Sequence, residues 1–181
     1  AVLANHNYLF GIPEFLKEAK KFNLKPIIGI TISKTDNGEI IFIAKNYKGY
    51  QNLIKISSWI AFHKKEVFKI KEHLKKINNL IIVFENKRKK NLSGFENVDV
   101  VTRKEIGFLK IDWLKKGDEI TASSFSYIKN NKLNFTGISE VSGTYLKPEE
   151  YYENIISHKA LRNNEKIFAN IKYNWPKIHI T

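Results

Sequence analysis

The sequence predicts an α/β fold with a mostly parallel sheet and a small helical tail. Two patterns predict it. Segments with apolar residues at helical spacing alternate with short, nearly continuous β-branched runs, which is how strands buried on both faces read. The first strand, helix and second strand also fit within residues 1–32, the size of a βαβ unit with a right-handed crossover.

The elements follow in order. Ala1-Val2-Leu3-Ala4 is an apolar stub ending in the polar Asn5-His6-Asn7. Gly11 precedes an amphipathic helix with Ile12, Phe15, Leu16, Ala19 and Phe22 on one stripe. Pro13 lies in its first turn, where a missing N–H is harmless, and Glu14–Lys17 and Glu18–Lys21 pair on the wet side. Pro26 to Ile32 is the second strand, central in the sheet and packed under Phe15, Leu16 and Phe22. The Asp36-Asn37-Gly38 turn folds it back into Ile40 to Ile43 as a hairpin. Asn46 caps a helix whose inward face is Tyr50, Leu53, Ile54, Ser57 and Ile60. A further helix turns Val67, Ile70, Leu74 and Ile77 inward. Leu80 to Phe84 is another buried strand, and Val98–Val101 and Ile120–Ala122 are short ones. Residues 129–143 read as polar and irregular, Pro148-Glu149-Glu150 opens a helix with carboxylates at its favourable dipole end, and a last helix runs from Leu161 to Ile171. The expected division is an α/β domain over 1–128, completed by an irregular connection and helical tail over 129–181.

Composition bounds the function. With 181 residues, 43% hydrophobic and 13% aromatic, the chain has material for a core, which excludes intrinsic disorder. No apolar run approaches the ~18 residues of a membrane span, and no signal-peptide core opens the chain. The expectation is a cytoplasmic domain with no membrane partner. Cysteine is absent, which excludes disulfides, thiolate nucleophiles and cysteine-held metals. Methionine is absent too, so the chain is expected to be a fragment with further sequence before Ala1.

The net charge of +13 fits a polyanionic partner. Yet 28 of the basic residues are Lys and only 3 are Arg, beside 26 Ile and 19 Asn. That bias is the signature of A/T-rich codons, and a solvated Lys-rich surface left by genome drift is the competing reading of the charge. Arg, which grips phosphates bidentately, is scarce.

Among single features, Asn5-His6-Asn7 is the most site-like, because functional side chains of α/β sheets gather at strand ends. A lone His there is more commonly a loop hydrogen-bonder. The basic knot Lys87-Arg88-Lys89-Lys90 is a candidate nucleic-acid contact through phosphates. A solvated loop is the competing reading, since no aromatic or Gly interleaves it. Phe15, Phe22, Tyr50 and Trp59 share faces with aliphatics and read as core. The five histidines and four aspartates show no ligand spacing, no Gly-rich phosphate loop is present, and no catalytic residue can be nominated.

The run Leu3-Ala4-Asn5-His6-Asn7-Tyr8-Leu9-Phe10-Gly11, with Glu14-Phe15, Ala19-Lys20 and Lys25-Pro26-Ile27-Ile28-Gly29, resembles one family. It is similar to the PHP (polymerase and histidinol phosphatase) domain at the N-terminus of bacterial DNA polymerase III alpha subunits. There a strand ends in T-D-H-G-N-x-x-G and K-P-I-I-G-x-E opens the next strand. Ala44-Lys45-Asn46, Gly49-Tyr50, Asn52-Leu53 and Lys55-Ile56-Ser57-Ser58 resemble its A-K-N-x-x-G-Y-x-N-L-x-K-L-S-S segment. The resemblance is dense over 1–59 and faint from 60 to 120. It returns around Ser126-Tyr127-Ile128, Tyr145 to Glu150 and Leu161-Arg162-Asn163-Asn164.

This resemblance implies a distorted (β/α)7 barrel whose first strand precedes Ala1. It also implies metal ligands at strand ends, but the ligand positions depart from the family. Its T-D-H aspartate falls on Asn5 while the histidine is kept as His6. The glutamate after P-I-I-G-x falls on Thr31, and the late D-x-H falls on Ser124 and Ser126. Neutral amides and hydroxyls are weak ligands for hard cations. The resemblance therefore implies a degenerate metal site, no cofactor and no catalysis in this fragment. The parent would be a DNA-directed DNA polymerase, a nucleotidyltransferase of DNA replication. Partners would be the remainder of that polymerase, other replication subunits, and DNA through the parent. The alternatives are a stand-alone PHP-like phosphoesterase with a rearranged metal site, and a basic nucleic-acid-binding module.

Overall fold

Residues 2–74, 78–85, 98–103 and 155–175, with the backbone of 126–129 and 132–135, are described by the computed structural model. Strand β1 (Val2–His6) lies parallel to β2 (Ile27–Ile32), with helix α1 (Ile12–Lys21) as the crossover. The predicted βαβ unit is present. From β2 the chain turns antiparallel into β3 (Ile40–Ala44), and β3 pairs antiparallel with β4 (Leu80–Phe84). β4 then lies parallel to β5 (Asp99–Thr102). The five strands stand side by side in chain order.

Among the described residues the mostly parallel sheet is thereby corrected to a mixed one: two of the four pairings are antiparallel. Connection length is the reason at β2–β3. A parallel return needs a crossover of roughly a dozen residues or more, and Ser33–Glu39 has room only for a hairpin. Among the described residues the sheet is open, with β1 and β5 at its edges.

Both faces of β2 and β3 are buried along their whole length, as their β-branched runs predict. Ile28, Ile30, Ile32, Ile40 and Phe42 form one cluster with Leu53 and Ile56 of α2 (Tyr47–Phe62), Phe68, and Ile70 of α3 (Ile70–Leu74). Asn46 caps α2 as expected, its side chain accepting from the Gly49 N–H at 3.0 Å. The buried stripe of α2 is Gly49, Asn52, Leu53 and Ile56, so Ile54 points to solvent and not inward.

Two further aromatic and aliphatic positions are corrected. Phe22 is 63% exposed, with the Lys21 ammonium 5.1 Å from its ring. It is the C-cap of α1, outside the helix, so the stripe through Ile12, Leu16 and Ala19 does not carry it inward. Val67 is exposed and Phe68 buried, because this segment is extended before α3 begins. Phe68 donates its N–H to Lys34 O and accepts from the Asp36 N–H. Around it Trp59 stacks on His63 with centroids 4.4 Å apart, and His73 stacks on Phe68 at 4.5 Å.

The tail is stitched to the sheet. Helix α4 (His158–Ala169) starts three residues before the expected Leu161. The Lys25 ammonium donates to its last carbonyls, Phe168 O and Ala169 O, at 2.7 Å each, where the helix dipole favours a cation. Beyond it the Tyr173 hydroxyl accepts from the Ile28 N–H at 3.0 Å and donates to Ala44 O at 2.8 Å. Burial pushes that phenol up to about 12.

By contacts the chain divides into Ala1–Ile106 with Lys159–Thr181 and a second compact unit, Gly107–His158. Within the second unit β6 (Ser126–Lys129) and β7 (Lys132–Phe135) form an antiparallel hairpin. That corrects the irregular reading of the segment from 129: Lys-Leu-Asn-Phe alternates at strand period. Ile77, Lys87–Lys90, Ile120–Ala122 and the helix expected at Pro148 lie outside the described residues. No helix among the described residues is long and apolar enough to cross a membrane.

Candidate functional site at the strand ends

His6 closes β1 and pairs in register with Thr31 of β2, so both stand at the carboxyl end of the parallel pair. Immediately after it Asn7 adopts a left-handed φ of 60°, a conformation that Asn tolerates, and donates its N–H to Thr31 O at 2.8 Å. Ser57 of α2 holds the same turn by donating to Asn7 O at 3.3 Å.

The two neighbours of His6 that fall on the family's carboxylate positions do structural work. Asn5 Nδ2 donates to Phe10 O at 2.8 Å and braces the loop. The Thr31 hydroxyl, buried, donates to Ala4 O at 2.8 Å and clips β2 to β1. Only His6 faces outward. Its Nδ1 lies 3.1 Å from Ser33 Oγ and 3.9 Å from Glu39 Oε2. The other Glu39 oxygen takes the Arg103 guanidinium at 2.5 Å, and the Arg103 backbone is fixed by its N–H to Phe84 O.

Four elements thus bring His6, Ser33, Glu39 and Arg103 together. Among the described residues this cluster offers one carboxylate, a hydroxyl and one imidazole, a poor fit for a divalent cation, since the guanidinium paired with Glu39 neutralises its charge and repels a second cation. Among the described residues, no three of His, Asp and Glu are placed to hold a metal. Of the later positions, Ser124 lies outside the described residues, and Ser126 opens β6 of the second unit with only its backbone described.

Sequence reasoning found His6 and missed its neighbours. Hairpin register was the available signal for two of them, because Ile32 pairs with Ile40 and so sets Ser33 beside Glu39 at the rim. Arg103 was visible as one of only three arginines, placed directly after a strand.

The Ala44–Ser58 segment proves to be scaffold. Asn46 Nδ2 donates to Asn79 Oδ1 at 3.1 Å, and Asn52 Nδ2 to Asn78 O at 2.7 Å. At Gly49 any Cβ would collide with the Asn79 carbonyl, so only glycine lets α2 approach the β4 entry.

An α/β domain opening on a βαβ unit, with its polar cluster at the strand ends, is the class that this geometry defines. The PHP domain model matches residues 1–103, and the chain belongs to the PHP domain family. Its relatives include the DNA polymerase III subunit alpha of Ureaplasma parvum serovar 3, 30% identical over 174 residues, covering 94% of this chain and 17% of the relative. The subunit of the same name from Staphylococcus aureus strain COL is 28% identical over 167 residues, 82% of this chain and 16% of its own. That of Staphylococcus epidermidis is 30% identical over 169 residues, 91% and 14% respectively. The chain spans about a sixth of the length of these relatives.

Proposed function

We propose that the chain is the PHP domain of a DNA polymerase III alpha subunit and serves that polymerase structurally, without phosphoesterase chemistry of its own. The name shared by its relatives and the small share of their length that it matches support the first half. The Glu39–Arg103 ion pair beside His6 is the observation that carries the second. A metal-activated hydroxide needs a cation with an open coordination position, and here an internal cation takes the carboxylate instead.

On this reading the sheet continues into a distorted (β/α)7 barrel, with one strand preceding Ala1. Residues 129–181 complete the same domain as 1–128. Nucleotidyl transfer belongs to other domains of the longer chain, which acts on DNA in the cytoplasm. The domain's partners are the remainder of that chain and other replication subunits.

Hydrolysis of p-nitrophenyl phosphate and of a short oligonucleotide, with Mn²⁺ or Zn²⁺ added, tests the reading. The expected result is no metal-dependent turnover. Turnover that His6→Ala abolishes would restore the stand-alone phosphoesterase. The gene supplies an independent check: the 174 aligned residues are 17% of the Ureaplasma relative, so a frame of about 1,000 residues is expected. A frame scarcely longer than this chain would contradict it.

A further inference from the structure

A second polar recess lies away from His6. It is a cleft of about 980 Å³ between α4, β5 and the start of α2. Lys45, Lys159, Lys166 and Lys172 line it against a single acid, Asp99. That acid is already answered by Lys45 at 2.9 Å. Among the described residues Lys159, Lys166 and Lys172 make no ion pair, and all three are exposed. The cleft therefore carries a surplus of three positive charges with no internal counter-charge among the described residues.

The arrangement along α4 is ordered. Lys159, Lys166 and Asn170 recur at i, i+7 and i+11, one face of a helix, and that face looks into the cleft. The seven-residue step between the two lysines rises about 10 Å, roughly three nucleotide steps of one strand. Val100 and Val101 of β5 supply an apolar opposite wall. Among the described residues no aromatic ring and no Arg lines the recess. A site of this make-up meets phosphates as point charges and neither stacks bases nor forks bidentately onto them.

We propose that this cleft holds the phosphate backbone of single-stranded DNA, without sequence preference, through Lys159, Lys166 and Lys172. A recess of about 980 Å³ takes two or three nucleotides of one strand. Three phosphate contacts to a single strand set a salt slope of about −2, which lowers affinity about 20-fold between 50 and 200 mM salt. The inference rests on the cleft alone and stands whether or not the strand-end site is a phosphoesterase.

The test uses the 181-residue chain and a fluorescent oligo-dT of about 12 nucleotides, read by anisotropy at several salt concentrations. The triple variant Lys159→Gln/Lys166→Gln/Lys172→Gln is compared with Lys17→Gln/Lys20→Gln/Lys71→Gln, which removes equal charge from α1 and α3. The cleft triple is expected to weaken binding at least tenfold and to flatten the salt slope by about 2, while the control changes affinity less than threefold. Thermal melts should be unchanged in both, since every substituted lysine is exposed. Should the cleft triple melt early, Lys166→Gln alone is expected to weaken binding about threefold or more. Equal losses in both triples, an unaltered affinity in Lys166→Gln, or no binding by the parent chain at 50 mM salt would overturn the proposal. So would poly-glutamate displacing the DNA at equal charge concentration, which would assign the cleft to an acidic protein.

Discussion

Replacing Tyr173 by Phe removes one oxygen that completes a sheet rung. Gly29 is the last β2 residue in register with β3, opposite Ile43. Beyond that pair the Tyr173 hydroxyl bridges the Ile28 N–H and the Ala44 carbonyl. Both residues are 0% exposed. Phe keeps the ring but strands a buried N–H and a buried C=O, and each stranded group costs about 1–3 kcal/mol. The expected loss is about 2–6 kcal/mol, a large share of a typical ~5–15 kcal/mol stability.

Alkali gives an independent reading of the same contact. The phenol is raised to about 12 from 10, so its neutral form is the one the fold favours. That stabilisation is complete below pH 10 and is lost as pH rises through about 12. A difference of this size corresponds to roughly 3 kcal/mol. Denaturant unfolding of parent and Tyr173→Phe at neutral pH and again between pH 10 and 12 measures both terms. The gap between the two proteins should narrow with alkali, because only the parent has that proton to lose. A neutral-pH loss below about 0.5 kcal/mol would show that water already serves Ile28 and Ala44 and that the tail is not anchored there.

Other consequences follow from burial. Ile28→Ala should cost about 2–5 kcal/mol, transfer term plus cavity, because Ile28 is fully buried in a central strand; a loss under about 0.5 kcal/mol in urea unfolding would place it at the surface. Burial, reinforced by His63 and opposed by Glu72, holds His73 below its ordinary 6.5. Its neutral form is therefore favoured, and the stability it gives is present above about pH 6.5 and lost as pH falls through the lower folded value. Thermal melts between about pH 7 and pH 5 should decline less in His73→Gln than in the parent; equal declines would refute the assignment.

Much of the scaffold was legible because continuous burial leaves a direct mark. The run through Ile27–Ile32 and the run Leu80–Phe84 could hardly be anything but inner strands, and Asn46 advertises its cap chemically. Pairing direction was legible at β2–β3, where Asp36-Asn37-Gly38 marks a hairpin, and not at β3–β4, where the long connection through α2 allows either direction. Phe22 and Val67 misled because spacing locates a stripe but not the residue where a helix stops or starts. The strand-end site was half legible. His6 stands in a local motif, whereas the Glu39–Arg103 contact joins residues 64 apart in sequence and leaves no local trace. The same holds for Tyr173, which reaches Ile28 across 145 positions.

The claim that the strand-end cluster is closed to metal is tested most directly by elemental analysis of the purified chain after dialysis, paired with a thermal melt with and without Mn²⁺ or Zn²⁺. With Glu39 committed to Arg103 and Thr31 and Asn5 hydrogen-bonded to backbone, the expected metal content is far below one per chain, and added metal leaves the melt where it was. Tight binding to the folded state would raise the melt by mass action. A stoichiometric metal, or a rise of several degrees that His6→Ala removes, would contradict the account and return the chain to the metal-dependent phosphoesterases.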